Sequence, residues 1–403
     1  MKSTTIFRQE STPPGASVEK HAIWGKEARV LVGDEGCVPM ENAGGGAFRW
    51  AIFGTGSVSR KFVLDLRSLK GRAVVSHVAS RNPANAASFV RDLAPEATAS
   101  TYEDAAAADV DGVYIATPPA LHKSHALMGI AAGKPVLVEK PFAQTGAEAR
   151  EIADAARSAG VFCMEAMWTR FQPLAGEIRT RIARGDLGDI RGFDAQFLAA
   201  NTPDATQSLF NAAQGGGAMI HRGIYPLSMA QFWLGPIART VALQRMGETG
   251  VDEDTVMVLE HGSGALSTVR SSLRSAGPDG AVIWGTKARL EIDGPIWRPN
   301  GARLFPVHPA GKPSGGARKG EAFRESGAGL KLSRLLQRVR GGGSAISAPF
   351  AGNAYHYEAE AVMQAVAAGQ GEDPRMTLDD SIALMDLMDE VQASAATKTG
   401  ATP

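Results

Sequence analysis

The sequence has little cysteine, no excess of charge of either sign and no long hydrophobic run. Its two cysteines, Cys37 and Cys163, stand far apart in a chain of 403 residues. That spacing argues against a disulfide framework and against a zinc site built from cysteine pairs. Lysine plus arginine and aspartate plus glutamate each number 42, so the formal net charge is zero. Nucleic acids and anionic membranes usually require a basic partner, so we expect neither here.

Segments that would direct the chain to a membrane are also missing from the pattern. No apolar run approaches the roughly 18 residues that a membrane-spanning helix needs. The start of the chain has no apolar segment behind a basic stretch, so we read no signal peptide. We expect a cytoplasmic protein. Residues 1–47, which mix proline, glycine and charge, are predicted to be a disordered extension. No metal is expected, because no His-Glu-x-x-His or cysteine-pair spacing occurs.

From Phe48 onward, short apolar strands alternate with helical segments. The predicted strands are Phe48–Phe53, Ala73–Ala79, Gly112–Ala116, Pro135–Glu139 and Val161–Ala166. The predicted helices include Pro83–Leu93, His122–Ala132 and Gly146–Ala159. This alternation is typical of a parallel sheet with helices on both faces. Residues 48–168 are therefore predicted to form a doubly wound Rossmann domain.

Beyond about Trp168 the pattern changes to clustered strands, which predicts a second, α+β domain over residues 169–403. Its strands alternate apolar and polar residues, as in a sheet with one covered face. They are predicted at residues 188–199, 240–246, 255–260, 265–273, 281–285 and 289–292, with one helix at Ala218–Phe232. Residues 309–346 are predicted to be a mobile insertion, and residues 355–392 to contain two closing helices.

A glycine-rich turn follows the first predicted strand directly and opens a helix. Its residues are Gly54, Thr55, Gly56, Ser57 and Val58. Gly54 permits a tight turn, and Gly56 lets the backbone approach a pyrophosphate at the helix N-terminus. Because strand, turn and helix stand in the required order, the motif predicts that these residues bind a dinucleotide.

The end of the second predicted strand favours NADP over NAD. An NAD site usually places a carboxylate there for the ribose hydroxyl. This strand ends in Ser80 and Arg81, with no carboxylate, and a hydroxyl with a guanidinium suits a 2′-phosphate. A plain surface arginine is the alternative.

Several motifs together resemble one family. They are Gly54-x-Gly56, Thr117-Pro118-Pro119 with His122, Glu139-Lys140-Pro141, and the helix opened by Gly215-Gly216-Gly217. In this combination the chain resembles the glucose–fructose oxidoreductase/inositol dehydrogenase (Gfo/Idh/MocA) family. The run from Glu165 through Trp168 and Arg170 to Phe171 is similar to its branch of dimeric dihydrodiol dehydrogenases and NADP-dependent D-xylose dehydrogenases. The resemblance covers residues 48–305 and 350–393.

The resemblance implies where the cofactor and substrate lie. It implies a cofactor-side role for Thr117, Pro118, His122, Glu139, Lys140, Trp168 and Arg170. Capping and packing are the favoured role for His122. Trp168 and Arg170 are expected to wall the cleft, with packing as the alternative. The family also implies a cis Lys140–Pro141 bond and an open, mostly antiparallel second sheet whose outer face forms a homodimer interface.

Three residues are the candidates for catalysis. Lys140 stands at the carboxyl end of a predicted parallel strand, where it can hydrogen-bond the reacting oxygen. By resemblance Tyr225 is the proton acceptor, and a neighbouring ammonium would favour its ionised form. His221 stands where the family usually has aspartate. Three interpretations of His221 remain open: a part in the proton relay, an altered substrate, or weakened catalysis.

The sequence therefore predicts an NADP-dependent oxidoreductase that transfers a hydride between the nicotinamide and an alcohol carbon of a sugar, polyol or dihydrodiol. Two alternatives remain open. One is a glycosidase-like enzyme that retains NAD; the other is a non-catalytic protein that senses the dinucleotide.

Overall fold

The computed structural model describes residues 46–307, 326, 328 and 343–399. The predicted extension therefore lies almost entirely outside the described residues, as does most of the predicted insertion.

The N-terminal half contains a wholly parallel six-stranded sheet, in which β1 and β4 are neighbours at the centre. Its strands are Phe48–Phe53 (β1), Ala73–Ala79 (β2), Thr98–Ser100 (β3), Gly112–Ile115 (β4), Val136–Glu139 (β5) and Cys163–Ala166 (β6). Its helices are Ser57–Leu66 (α1), Pro83–Leu93 (α2), Tyr102–Ala107 (α3), His122–Ala131 (α4) and Gly146–Ala159 (α5). The strand order β3-β2-β1-β4-β5-β6 confirms the Rossmann prediction.

Local sequence explains why these elements form where they do. Every residue of β4, β5 and β6 is buried, as expected for strands covered by helices on both faces. The side chains of Asn82, Thr101 and Thr145 each accept a backbone N–H bond at the start of a helix. Gly160 ends α5 in the left-handed conformation, at φ 63°.

The C-terminal half contains an eight-stranded sheet that is antiparallel except where β7 and β10 run parallel. Its strands are Ile190–Leu198 (β7), Ile237–Met246 (β8), Asp252–His261 (β9), Leu266–Ser272 (β10), Ala281–Gly285 (β11), Ala288–Ile292 (β12), Gly301–Pro306 (β13) and Ser344–Ser347 (β14). The helices of this half are Pro173–Arg184 (α6), Ile224–Leu234 (α7), Tyr355–Ala367 (α8) and Leu378–Thr399 (α9). The predicted mostly antiparallel sheet is confirmed.

One face of this second sheet is covered and the other is open. Helix α7, whose residues are all buried, packs against β7 and β10. Helix α9 packs against β8 and also against α5, while α8 packs against α1. The two closing helices therefore contact both halves of the molecule. None of the helices in the described ranges combines the length and the apolarity that crossing a membrane would require.

The structure differs from the sequence-based expectations at three places. Strands β13 and β14 pair with each other, so residues 344–346, which we assigned to the insertion, are a strand. Elements β3, α3, α6 and β13 were not predicted. The single helix expected at Ala218–Phe232 is a π-helix at Met219–Gly223 that continues into α7. The boundary between the two predicted domains, at 168/169, stays a prediction.

Candidate active site

The turn after β1 lies at the carboxyl edge of the parallel sheet. Gly54 adopts φ +104°, and its N–H donates to the carbonyl of Ala79 at 2.9 Å. A Cβ on Gly54 would lie 2.5 Å from the carbonyl oxygen of Ala116. Only glycine therefore fits this turn between the ends of β1, β2 and β4.

The first turn of α1 fits the pyrophosphate of a dinucleotide. Gly56 is the N-cap residue of α1, and no side chain caps the helix. A Cβ built on Gly56 would meet nothing within 4 Å, so the backbone there faces open space. Uncapped N–H groups at the start of a ten-residue helix form an anion site.

A cleft of about 490 Å³ runs along this edge of the sheet. It brings together most of the predicted cofactor residues: Gly54, Thr55, Gly56, Val58, Ser80, Arg81, Thr117, Pro118, His122, Glu139 and Lys140. His221 lines the same cleft from the second half of the chain. Ser57 does not line it; its side chain is exposed at the first position of α1.

One end of the cleft carries the residues predicted to read the adenosine ribose. The backbone N–H of Arg81 donates to the hydroxyl of Tyr102 at 3.2 Å, and Ser80 Oγ accepts from Asn82 N–H at 3.4 Å. The side chain of Arg81 is exposed, and its guanidinium makes no hydrogen bond to any described residue. Asn85 also lines this end, and none of the lining residues there is a carboxylate.

His122 joins the two loops that border the middle of the cleft. Its Nδ1 lies 2.8 Å from the carbonyl of Pro141, and its Nε2 lies 2.8 Å from the carbonyl of Thr117. Burial lowers the pKa of His122 to about 4, although both carbonyls favour the protonated ring. A neutral ring donates one of these two bonds. These contacts give His122 a packing and bridging position, the role favoured for it from the sequence.

Glu139 and Lys140 lie at the end of β5. The carboxylate of Glu139 is buried and accepts from the hydroxyl of Tyr114 at 2.7 Å and from the N–H of Lys140 at 3.1 Å. Burial raises the pKa of Glu139, more than these donors and the Lys140 charge lower it. The Lys140–Pro141 bond is cis, as the resemblance implied.

Lys140 contacts both of the other candidate catalytic residues. Its Nζ donates to the carbonyl of His221 at 3.4 Å and lies 4.9 Å from the ring centroid of Tyr225. Burial, together with the nearby Lys140 charge, lowers the pKa of His221 to about 3, so its ring is neutral at physiological pH. The structure thus brings Lys140, His221 and Tyr225 together.

The helix that carries His221 and Tyr225 begins irregularly for a local reason. Pro226 has no N–H, so it cannot donate a hydrogen bond to a carbonyl of the preceding turn. The carbonyl five residues before Pro226 is that of His221. The backbone instead makes a π turn at Met219–Gly223, where Ile224 N–H reaches the carbonyl of Met219. The carbonyl of His221 accepts from Lys140 Nζ.

Asp252, at the start of β9, holds the beginning of this helix. Its carboxylate accepts from the N–H of Met219 at 2.8 Å and from Thr255 Oγ1 at 2.6 Å. A Cβ on Gly217 would lie 2.1 Å from Asp252 Oδ1, so glycine is required for this approach. Burial raises the pKa of Asp252 to about 6 despite these donors. Sequence reasoning missed Asp252, since 33 residues separate it from Met219.

Aromatic side chains form the wall beside Tyr225. The Nε1 of Trp168 donates to the Tyr225 hydroxyl at 3.4 Å, and the Trp168 ring stacks on Tyr355 with centroids 4.8 Å apart. On the other side, Phe197 lies 5.8 Å from Tyr225 and stacks on Trp297 at 3.7 Å. Trp168 therefore contacts the candidate catalytic tyrosine, although it does not line the cofactor cleft. Tyr355, Phe197 and Trp297 were not singled out from the sequence.

Arg170 does not wall the cleft, contrary to the expectation from the sequence. Its side chain is fully buried. It donates to Asp380 Oδ2 at 2.8 Å, to Ser228 Oγ at 2.8 Å and to Gln231 Oε1 at 3.1 Å. A planar guanidinium with several donors suits such a junction. Arg170 thus ties α7 to α9 and packs inside the protein.

No group of three or more histidine, cysteine, aspartate or glutamate side chains in the described part could hold a metal ion.

Comparison with known proteins agrees with this geometry. Residues 48–167 match the profile of an oxidoreductase family with an NAD-binding Rossmann fold, GFO_IDH_MocA, and residues 176–291 match the GFO/IDH/MocA C-terminal domain. Together the matches span more than half of the chain.

Three individual proteins illustrate the similarity. Trans-1,2-dihydrobenzene-1,2-diol dehydrogenase from Sus scrofa is 32% identical over 359 residues, which are 86% of this chain and 96% of that protein. A levoglucosan dehydrogenase in complex with NADH has a TM-score of 0.73 at 20% identity, over 87% of this chain and 97% of that one. A 3-ketoreductase from Actinomadura kijaniata in complex with NADP has a TM-score of 0.69 at 22% identity, over 86% and 97%. The chain belongs to the GFO/IDH/MocA family of NAD(P)-dependent oxidoreductases.

Proposed function

We propose that this protein is an NADP-dependent dehydrogenase that oxidises a carbinol carbon of a sugar, polyol or dihydrodiol, or reduces the matching carbonyl. The contact of Lys140 with both His221 and Tyr225 carries the proposal. This contact places the Lys140 ammonium, which lines the cofactor cleft, beside Tyr225 from the second half of the chain. The dihydrodiol dehydrogenase and levoglucosan dehydrogenase relatives act on alcohols of this kind by name.

The cofactor would supply the hydride acceptor, and the protein would position the alcohol and move its proton. Gly54, Gly56 and the uncapped start of α1 would hold the pyrophosphate. The Lys140 ammonium would hydrogen-bond the reacting oxygen and favour its alkoxide form. Lys140 would thus orient the alcohol toward Tyr225.

Tyr225 would take the proton of the reacting hydroxyl. A phenol is a weak base near neutral pH unless neighbours stabilise its ionised form. Two polar groups lie beside the phenol: the Lys140 Nζ is 4.9 Å from the ring centroid, and the Trp168 Nε1–H donates to the phenol oxygen at 3.4 Å. His221 is neutral, so it can accept or donate a hydrogen bond beside this pair without adding charge.

NADP rather than NAD is proposed because of the ribose end of the cleft. Arg81 offers an exposed guanidinium with no hydrogen bond to a described residue, and Ser80 offers a hydroxyl. Among the described residues, no carboxylate lines this end to accept a 2′-hydroxyl or to repel a 2′-phosphate. The related 3-ketoreductase is described as a complex with NADP.

A homodimer formed through the open face of the second sheet is also part of the proposal. Large apolar side chains are exposed there on neighbouring strands, which is unusual for a monomer. Val241 pairs across the strands with Val258, and Leu243 pairs with Val256. The exposed fractions of Val241 and Leu243 are 59% and 68%. A second copy would bury this face.

The experiment measures NADPH and NADH formation by absorbance over a panel of pentoses, hexoses, inositols and a trans-dihydrodiol. We expect turnover of at least one compound with NADP. No turnover across the panel, despite tight NADP binding, would reject the proposal.

A further inference from the structure

Positive charge gathers where the cofactor cleft meets the second half of the chain. Lys140 Nζ has the carbonyl of His221 as its hydrogen-bond acceptor. Among the described residues, no carboxylate oxygen lies within ion-pair distance of this ammonium. The adjacent Glu139 directs its carboxylate at Tyr114 and at the backbone, and burial disfavours its charged form. Lys140 therefore makes no ion pair with a carboxylate of the described residues, although its charge acts on Glu139.

Arg222 is a second cation at the same place, next in sequence to His221. The residue is only 8% exposed, and its guanidinium donates to the carbonyls of Ala199 and Ser272 and to Asn201 Oδ1, all of them uncharged. It lies 5.3 Å from the ring centroid of Phe197, the aromatic neighbour of Tyr225.

The positive charge of Arg222 has no carboxylate within ion-pair distance among the described residues. Asp279 attracts it electrostatically but lies outside ion-pair distance. The Asp279 carboxylate also accepts from the N–H of Leu198. Within the described ranges, Arg222 is thus a largely buried charge with no carboxylate bonded to it.

His221, which both cations affect electrostatically, is neutral. His221 has a buried Nε2 for which the described residues provide no hydrogen-bond partner. Burial and the two cations keep its ring uncharged, so it adds no compensating charge of either sign. An oxidised nicotinamide in the cleft would add a further positive charge. Unpaired charges removed from water are costly, and an anion brought close to Lys140 would lower that cost.

We propose that the alcohol oxidised here carries a carboxylate group, as an aldonate or a uronate does. This inference rests on the proposed dehydrogenase function and narrows its substrate class. The carboxylate would interact directly with Lys140, and through space with Arg222. Coulomb attraction over a few ångströms at a partly buried site corresponds to a gain in affinity on the order of tenfold to a hundredfold.

The first test compares matched pairs of ligands that differ in one carboxylate. Binding of glucuronate and glucose, galacturonate and galactose, and gluconate and sorbitol is measured by calorimetry on the enzyme saturated with NADP. We expect at least one carboxylate to bind about tenfold or more tightly than its neutral partner, with added salt weakening only the carboxylate. Equal or tighter binding of every neutral partner, or no carboxylate binding at all, would overturn the proposal.

The second test changes the charge beside Lys140 by one unit. His221→Asp and His221→Asn differ by a single negative charge at similar size. We expect the aspartate variant to lose about tenfold of the preference for the carboxylate ligand relative to the asparagine variant. If the His221 variants fail to fold, Arg222→Met provides the test. This variant keeps much of the apolar stem and should reduce the same preference for the carboxylate ligand. An unchanged preference in all folded variants would contradict the proposal.

Turnover separates this inference from the function on which it rests. NADP-dependent turnover of neutral alcohols without any preference for carboxylates would leave the dehydrogenase proposal standing and refute this one. Carboxylate binding without oxidation of any ligand would refute the dehydrogenase proposal while supporting the anion site.

Discussion

The carboxylate of Asp252 accepts a hydrogen bond from the backbone N–H of Met219 at 2.8 Å. This bond joins strand β9 to the start of the helix that carries His221 and Tyr225. The position of the proposed proton acceptor thus depends on a residue that touches neither the cleft's cofactor residues nor the tyrosine itself. Asp252 is a positioning residue.

Replacing Asp252 with alanine should loosen the helix start and misplace Tyr225. We expect the free energy of unfolding to fall by about 1–3 kcal/mol, because the N–H of Met219 and the hydroxyl of Thr255 lose a buried acceptor. We also expect kcat to fall more than KM rises. Urea unfolding and steady-state kinetics measure the two effects. Asp252→Asn is the control, since it keeps one oxygen acceptor; equal losses in both variants would argue against a positioning role.

The two buried histidines should make the protein less stable in mild acid. Burial lowers the pKa of His221 to about 3 and that of His122 to about 4, whereas both take up a proton near pH 6.5 in the unfolded chain. Between pH 6.5 and about 4 the unfolded state therefore binds more protons. Each histidine should lower the free energy of unfolding by about 1.4 kcal/mol per pH unit as the pH falls through that window.

His221→Asn tests this dependence with a side chain that does not titrate. The difference in unfolding free energy between the wild type and the variant, measured in urea at pH 7.5 and pH 5, should shift in favour of the variant at the lower pH. Other titrating groups are the same in both proteins and cancel in the comparison. A difference that does not change with pH would show that His221 keeps its ordinary pKa.

Cofactor preference should depend on Arg81. Arg81→Ala should weaken NADP binding by about tenfold or more, because the 2′-phosphate loses a charged partner, and should leave NAD binding nearly unchanged. Fluorescence titration with NADPH and NADH measures both affinities. Arg60→Ala, which removes an exposed arginine on α1, is the matched control. Parallel losses for both cofactors would mean that Arg81 does not read the 2′-phosphate.

The open face of the second sheet should hold two copies of the chain together. A Leu243→Glu variant would put a charge on the exposed apolar face, and we expect sedimentation to show monomers. Trp284→Glu, at the side of the same face on β11, serves as a second variant. Unchanged association in both variants, or a monomeric wild type, would contradict the proposed dimer.

The parallel sheet and the cofactor turn could be predicted from the sequence because their signals are local. Strand β1 and Gly54 lie next to each other, and continuous apolar runs mark buried parallel strands. The mostly antiparallel character of the second sheet was also predicted. Strand β14 was missed, because four residues without alternating apolar side chains do not indicate a strand.

The arrangement of the site depends on contacts that no local pattern reveals. Arg170 was expected in the cleft, yet its partners Asp380 and Ser228 lie 210 and 58 residues away and draw it inside. The uncompensated charge of Arg222 is visible only once its acceptors are known to be carbonyls and an amide oxygen.

The most direct test of the central claim is steady-state turnover with NADP in Lys140→Met and Tyr225→Phe, with NADP affinity measured on the same samples. We expect each substitution to lower kcat by about 10²-fold or more, the range for loss of a positioned proton-transfer group. NADP affinity should stay within a few-fold, since the pyrophosphate site at α1 is unchanged. Full activity in either variant, with NADP bound as tightly as in the wild type, would contradict the assignment of Lys140 and Tyr225 to the reaction.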